Sequence, residues 1–124
     1  MTTDIGQPHT QFSTLSEWSG RTLFVTATGE VELVNAPQLE AVLNQAIDDG
    51  PDVLVLDITA VSFLSSAGLA TLARIHRNGE RAGMRFRVVA NNAATLRPIQ
   101  LMGLDQEIDV FSDRANALTG AVES

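Results

Sequence analysis

The stretch that most restricts the fold of this chain is Val53-Leu54-Val55-Leu56, four apolar residues in unbroken succession closed by Asp57. A strand with one wet face alternates apolar and polar side chains. A run without alternation therefore reads as a strand buried on both faces, central in a parallel or mixed sheet. Such a strand needs helices to cover it, and the flanking sequence contains them. Leu39, Val42, Leu43, Ala46 and Ile47 fall at helical spacing over Ala36 to Asp48, and Leu69, Leu72, Ala73, Ile75 and His76 share one arc of a helical wheel over Ala67 to Asn78. Asn35 is placed to cap the first helix, with Pro37 in its first turn, and Gly50-Pro51 stops it. Gly79 is expected to end the second.

The remaining elements follow from the same periodicities. Leu23, Val25 and Ala27 alternate with Thr22, Phe24 and Thr26, which predicts a strand over Arg21 to Thr28, broken by Gly29-Glu30 and preceded by a weaker strand near Thr10 to Leu15. Phe86 to Ala90 reads as another strand. A short helix whose start is blurred by Pro98 ends at Met102-Gly103, a strand lies near Ile108 to Phe111, and a last helix runs from a Ser112 cap to about Thr119. The order β, β, α, β, α, β, α, β, α predicts a single α/β domain: a mixed sheet of four to five strands covered by about four helices. The domain is expected over residues 10–120, with a loosely ordered tail at residues 1–9 and another at 121–124. Trp18 and the five phenylalanines are too scattered for a stacking platform and read as core.

Composition removes whole classes of chemistry. A chain of 124 residues is one domain in size and large enough for one core. It has no cysteine, which excludes a disulfide scaffold, a thiolate zinc site, an iron–sulfur cluster and a cysteine nucleophile, and fits a reducing compartment. All eight basic residues are arginines, so Schiff-base chemistry, the phosphate-binding lysine of P-loops and a lysine base are absent. Residues 1–57 hold nine acids against Arg21 alone, and the whole chain has a net charge of −7. That balance repels nucleic-acid backbones, and the run Arg74, Arg77, Arg81, Arg85, Arg87 reads as a solvated helix face and its exit. Met1 to Gln11 has neither the basic nor the apolar region of a signal peptide, and no apolar stretch approaches the roughly 18 residues of a membrane span. The expectation is a cytoplasmic protein with no membrane partner, no metal and no cofactor.

The stretch richest in chemistry is Val61-Ser62-Phe63-Leu64-Ser65-Ser66-Ala67-Gly68-Leu69-Ala70, which passes from the central strand through a serine doublet into a helix. Ser66 is read as the residue opening that helix. It could serve as an N-cap accepting from the amide of Gly68 or Leu69, a role worth about 1 kcal/mol. The small residues Ala67, Gly68 and Ala70 around it would also let another protein come close, which a cap does not require. A catalytic nucleophile is a poor fit. Leu64 stands where a nucleophile elbow has glycine, His76 lies ten residues along the helix, about 15 Å away, and His9 sits in the polar start of the chain. No catalytic residue is assigned, and the chain reads as a non-enzyme.

At these residues the chain resembles a known family. Val53-Leu54-Val55-Leu56-Asp57 followed by Phe63-Leu64-Ser65-Ser66-Ala67-Gly68-Leu69 is similar to the signature of STAS domains, specifically the bacterial anti-sigma factor antagonists of the sporulation and general-stress type. Gly29-Glu30-Val31-Glu32 resembles that family's turn after its second strand, and Leu101-Met102-Gly103-Leu104 its small-Gly-Leu block near the third helix. The resemblance covers about residues 20 to 120. It departs from the family at Ser65, where Asp is more usual, at Ala67, where Ser or Thr is frequent, and at Glu32, which replaces an Asp.

The resemblance implies a partner switch. Unphosphorylated, the protein would bind an anti-sigma factor that is also an ATP-binding serine kinase of the histidine-kinase ATPase type, freeing a sigma factor. Phosphorylation of Ser66 would release it, and a PP2C-type phosphatase would reset it. The site would be surrounded by Glu32, Asp57, Ser65, Ala67 and Gly68. The partner surface would comprise Glu32, Val34, Ser66, Gly68, Leu69, Ala70 and Arg74 on a chain that is monomeric when free. Asp57 has an alternative role in holding a turn or loop amide, Glu32 in being a solvated loop acid, and Gly103 in ending a helix. Two other functions stay open at this point: a docking subunit of a lipid-transport or signalling assembly, and a nucleotide-binding domain.

Overall fold

The apolar run at residues 53–56 lies in the middle strand of a five-stranded sheet in the computed structural model of the chain, which describes residues 12–120. In chain order the elements are β1 (Ser13–Ser19), β2 (Thr22–Val31), α1 (Ala36–Asp48), β3 (Val53–Leu64), α2 (Ser66–Arg81), β4 (Arg85–Val89), α3 (Ala93–Leu101), a 3-10 turn (Leu104–Gln106), β5 (Asp109–Phe111) and α4 (Arg114–Thr119). The strands lie side by side in sequence order. β1 is antiparallel to β2, and every other neighbouring pair is parallel. This is the mixed-sheet α/β architecture that the sequence predicts. The expected tails at residues 1–9 and 121–124, and the Thr10 start of the first strand, lie outside the described residues.

The pleat of β3 sends alternate side chains into two cores. Leu54, Leu56 and Ile58 meet Leu23 and Val25 of β2, Val88 of β4, Leu39 and Leu43 of α1, and Leu72 and Ile75 of α2. On the opposite face Val55 joins Phe24, Val89 and Ala117 of α4 in a smaller cluster. Every residue from Leu54 to Ile58 is buried, Asp57 included, which is why this strand has no polar alternation.

Several boundaries differ from the sequence reading, each for a tertiary reason. β2 runs through Gly29-Glu30 instead of breaking there, because its ladder with β3 absorbs register shifts between Thr26 and Thr28 and between Gly29 and Glu30. Gly29 takes φ 111 at this irregularity, a backbone region that a side chain strains. Gly79 does not end α2. It is buried within the helix, where an added Cβ would stand 2.7 Å from Met84 Cε, so it permits close packing and the helix continues to Arg81. Asn35 precedes α1 but makes no side-chain cap. Its Oδ1 accepts from the Glu32 amide at 2.8 Å and its Nδ2 donates to the Glu30 carbonyl at 2.9 Å, which ties the β2–α1 loop to itself. Asp113, not Ser112, caps α4 by accepting from the Asn116 amide at 2.8 Å.

Three side chains lie on a side of the protein that their type did not indicate. Trp18 and Phe63 are about half exposed, so they are not core. Arg87 leaves the solvated arginine run: it is buried on β4, with Nη1 donating to the Ala117 carbonyl at 2.8 Å.

Arg114 fastens α4 to the sheet. Its Nε donates to Asp57 Oδ2 at 2.7 Å, its Nη2 donates to the Thr26 hydroxyl, its Nη1 lies 3.4 Å from Glu17 Oε1, and its guanidinium stands 4.9 Å from the centre of the Phe24 ring. Asp57 Oδ1 meanwhile accepts from the Thr59 amide at 2.9 Å and the Thr59 hydroxyl at 2.8 Å, so the amide it holds lies within β3 and not in the turn or loop expected. Burial alone would push the Asp57 carboxyl up. The hydrogen bonds from Arg114 and Thr59, with the Arg114 charge, outweigh burial and hold it below its ordinary value of 3.8. A carboxyl depressed in the folded state contributes stability above its unfolded pKa that is lost as pH falls through the folded one. Urea unfolding should therefore show stability declining from about pH 4 downward, with a shallower decline in Asp57→Asn. Arg114→Met leaves a buried carboxylate short of its main partner and should cost about 1–3 kcal/mol at neutral pH.

Candidate functional site

β2 and β3 end side by side with Val31 opposite Leu64, and the pairing reaches one step further: the Ser65 amide donates to the Val31 carbonyl at 2.9 Å. That bond holds Ser65 extended, at φ −75 and ψ 171, and decides where α2 can begin. Ser65 is consequently the N-cap. Its Oγ accepts from the Gly68 amide at 3.2 Å, and its carbonyl accepts from Leu69 at 2.9 Å. This corrects the expectation that Ser66 caps the helix. Ser66 is the first helical residue, exposed, and its hydroxyl makes no hydrogen bond to another described residue. The aspartate that the resemblance expects at position 65 is as good an N-cap as serine, so Ser65 keeps the local role with a different side chain.

Other site residues divide into those that surround Ser66 and those that do not. Gly68 is buried: an added Cβ would lie 2.7 Å from Leu64 Cδ1 and 2.8 Å from Val31 Cγ1. Its missing side chain lets α2 approach β2 and does not clear an outer patch as expected. Leu69 likewise belongs to the core and is withdrawn from the partner surface. Asp57 is withdrawn from the surroundings of Ser66, because the pleat turns it to the α4 face, where Arg114 holds it. Ala70 is exposed, and Ala67 is half-buried against the core.

What does flank Ser66 is the β2–α1 loop, brought there by the Val31–Ser65 bond. Glu32 stands half-buried at its start, with Glu30 beside it. A hydrogen bond shared with the Glu30 carboxyl, then desolvation, then charge repulsion push the Glu32 carboxyl above its ordinary value. Leu33 and Val34 follow, 78% and 84% exposed. Val34 was anticipated and Leu33 was not. Its signal was two consecutive apolar side chains in a loop between strand and helix, where polar residues belong.

Between α1 and α2 runs a groove of about 530 Å³, lined by Leu33, Ala36, Ala41, Ala67 and Ala70, with Arg74 at its rim. Arg74 is not a free cation. Its Nε and Nη2 bond the Glu40 carboxylate of α1 at 2.7–3.1 Å, and those bonds outweigh partial desolvation to hold the Glu40 carboxyl below its ordinary value. Among the described residues no group of three His, Cys, Asp or Glu side chains could hold a metal ion. Nor, among them, is any helix long and apolar enough to cross a membrane.

Fold and site together define a one-domain α/β protein whose accessible features are an exposed serine that opens α2 at the end of the middle strand and an apolar groove between α1 and α2 lined by Ala67 and Ala70 of the same helix. Residues 16–117 match the STAS domain, and the chain belongs to that family. It is 44% identical over 94 residues to the anti-sigma-F factor antagonist RsfB of Mycobacterium tuberculosis, an alignment covering 74% of this chain and 75% of RsfB. The crystal structure of an anti-sigma factor antagonist from Mycobacterium paratuberculosis superposes with a TM-score of 0.82 at 39% identity, covering 89% of this chain and 93% of that one. The Bacillus cell fate determinant SpoIIAA shares the fold at 19% identity. Its unphosphorylated form matches with a TM-score of 0.71 over 90% of this chain and 100% of that one, its phosphorylated form with 0.67 over 87% and 98%.

The two serines should separate in stability. Ser65→Ala removes the cap and should cost about 1 kcal/mol, whereas Ser66→Ala should stay within about 0.5 kcal/mol of wild type in urea unfolding. Gly68→Val forces α2 away from Val31 and Leu64 and should cost about 1–3 kcal/mol. Equal losses for the two serine variants would remove the distinction between cap and free hydroxyl.

Proposed function

We propose that this protein is an anti-sigma factor antagonist switched by phosphorylation of Ser66. The observation that carries the reading is the free, exposed hydroxyl of Ser66 at the start of α2, while its neighbour Ser65 is occupied as a cap and bonded through its amide to Val31, from which the exposed pair Leu33 and Val34 follows. A kinase needs the first, and a partner surface explains the second. The identity to RsfB, named an anti-sigma-F factor antagonist, supports an anti-sigma factor as the partner. That partner is an ATP-binding serine kinase of the histidine-kinase ATPase type. Unphosphorylated protein binds it and frees a sigma factor, phosphorylation ends the complex, and a PP2C-type phosphatase restores it. The protein acts in the cytoplasm and has no catalysis of its own.

The chemistry favours a switch at this place. A phosphoryl group brings about −1.5 to −2 charges and three acceptor oxygens to the first turn of α2, where free amides and the helix dipole receive an anion favourably. The Glu30–Glu32 pair beside it repels the same charge, so the two effects oppose one another within the domain. Under a partner that also covers Leu33 and Val34, the phosphate loses its water, and the Arg74 guanidinium of the same helix is already held by Glu40. Binding is therefore the equilibrium that responds. The groove between α1 and α2 accommodates apolar side chains of a protein better than a nucleotide, because its lining is mostly Leu, Ala and Pro.

Incubation with the kinase and ATP followed by mass spectrometry tests the assignment. Ser66→Ala should abolish labelling, and Ser65→Ala should retain it. Persistence of a phosphopeptide carrying Ser65 in the Ser66→Ala protein would move the site by one residue and refute this reading. Val34→Glu and Ala70→Glu place a charge on exposed positions and should weaken kinase binding at least about tenfold with the fold intact. Unchanged affinity in both would take this face out of the interface.

A further inference from the structure

Capping α2 uses only part of what the Ser65 side chain offers. A hydroxyl has one hydrogen to donate and two lone pairs to accept with. Ser65 Oγ accepts from the Gly68 amide at 3.2 Å, a bond that occupies a lone pair and leaves the hydrogen unspent. Among the described residues no acceptor takes that hydrogen, although Ser65 is half-buried. Other capping side chains would not leave the same group available. Aspartate caps as well as serine but has no hydrogen to give and adds a full charge, asparagine accepts with its oxygen and donates with its amide nitrogen, and alanine does neither. Charge matters at this place. α2 has no acid in its first turn, while Val31, whose carbonyl accepts from the Ser65 amide, stands between Glu30 and Glu32. The charged side chains further along the paired helices, Arg74 of α2 and Glu40 of α1, are bonded to each other.

We propose that Ser65 is the positioning residue for the phosphorylated state of Ser66: its oxygen keeps the Gly68 amide while its hydroxyl hydrogen is donated to the phosphate on Ser66. The inference rests on the phosphorylation of Ser66 proposed above. The two residues are consecutive, with Cα atoms about 3.8 Å apart, and the Ser66 side chain makes no bond that would stop its phosphate from turning toward the cap. A hydrogen bond given to a charged acceptor favours the charged form, so the second ionisation of the phosphate, ordinarily near pH 6, moves down. Glu30 and Glu32 act in the opposite direction through their charge. A carboxylate at position 65, about 7 Å from the phosphate, would add to them and raise that ionisation by about half a unit. Serine adds no charge and supplies a donor, so the phosphate is a dianion at neutral pH despite the two acids. Position 65 thereby sets the size of the charge step that a partner covering Ser66 experiences.

The test places phosphoserine at position 66 of the full chain during translation, so that no kinase is needed, and follows its phosphorus NMR resonance through the second ionisation. Wild type is compared with Ser65→Asn, Ser65→Ala and Ser65→Asp, and urea unfolding of the unphosphorylated forms reports whether the cap survives. Wild type and Ser65→Asn should agree within about 0.2 unit, since both accept from Gly68 and donate to the phosphate. Ser65→Ala should titrate at least about 0.3 unit higher than wild type and Ser65→Asp at least about half a unit higher, although Ser65→Asp unfolds at the same urea concentration as wild type. A role confined to capping would leave wild type and Ser65→Asp alike in both measurements. Equal ionisation in wild type and Ser65→Ala overturns the proposal, because the phosphate then takes helix amides without the hydroxyl. So does Ser65→Asn titrating as high as Ser65→Ala, or Ser65→Asp no higher than wild type. Should Ser65→Ala fail to fold, the comparison of Ser65→Asn with Ser65→Asp decides, both being caps, and equal values refute the role. The titration succeeds or fails without the kinase, and labelling of Ser66 by the kinase succeeds or fails without position 65, so the two claims fall separately.

Discussion

Burial of β3 on both faces is the constraint from which the other features follow. A strand with Leu54, Leu56 and Ile58 on one side and Val55 and Asp57 on the other cannot be satisfied by one layer of helices. α1 and α2 close the first side with aliphatic side chains. The second side is closed by α4, a helix of six residues, and a helix that short contributes little apolar area. Its attachment depends on Arg114 reaching the buried carboxylate of Asp57, so an ion pair performs on one face what packing performs on the other. Removing one member of such a pair is costly because the other stays desolvated, even where the intact pair contributes little net stability.

The same strand positions the functional end. β3 is long enough to outrun the central core and finish against Val31, and the last bond of that ladder, from the Ser65 amide, fixes the first turn of α2. One serine is used in making the turn and its neighbour is released to solvent. The β2–α1 loop arrives at the same place because β2 ends there too, and Asn35 folds its side chain back onto Glu30 and Glu32 to hold the loop's shape. Two acids, two exposed aliphatic side chains and a free hydroxyl are thus gathered by backbone pairing and the Asn35 side chain. A surface assembled this way can change its charge at Ser66 without altering any bond on which the fold rests. That separation is what a reversible switch in a small domain requires.

How much of this was legible in the sequence depended on how far the deciding contact lay along the chain. The unbroken run at 53–56 and the helical spacing of α1 are local, and α1 was read at its observed ends. Local sequence points to caps one residue off, Ser66 where the structure has Ser65 and Ser112 where it has Asp113. The extended backbone that defines a cap is imposed by the partner strand, and for Ser65 that partner is Val31, which no local pattern announces. Local sequence makes Gly68 a clearing and Gly79 a stop. Both are places where another element would meet a Cβ, and only the packed structure names the atoms, Val31 and Leu64 in one case and Met84 in the other. Asp57 holds an amide, but one inside β3 instead of the expected turn or loop, and its partner Arg114 lies 57 residues away and on the face opposite Ser66. Trp18 and Arg87 show the converse failure, since residue type suggested core and surface while strand register and α4 placed them the other way.

The proposed switch requires that charge on Ser66 govern binding and not folding. The most direct test takes stoichiometrically phosphorylated protein and compares it with the unmodified form in two measurements, titration calorimetry against the anti-sigma kinase and urea unfolding. Phosphorylation should weaken binding by at least about tenfold while the unfolding free energy changes by no more than about 1 kcal/mol, the helix dipole and the Glu30–Glu32 pair acting in opposite directions. Equal affinity of the two forms would contradict the claim, and so would a phosphorylated domain destabilised enough to account for the lost binding by unfolding.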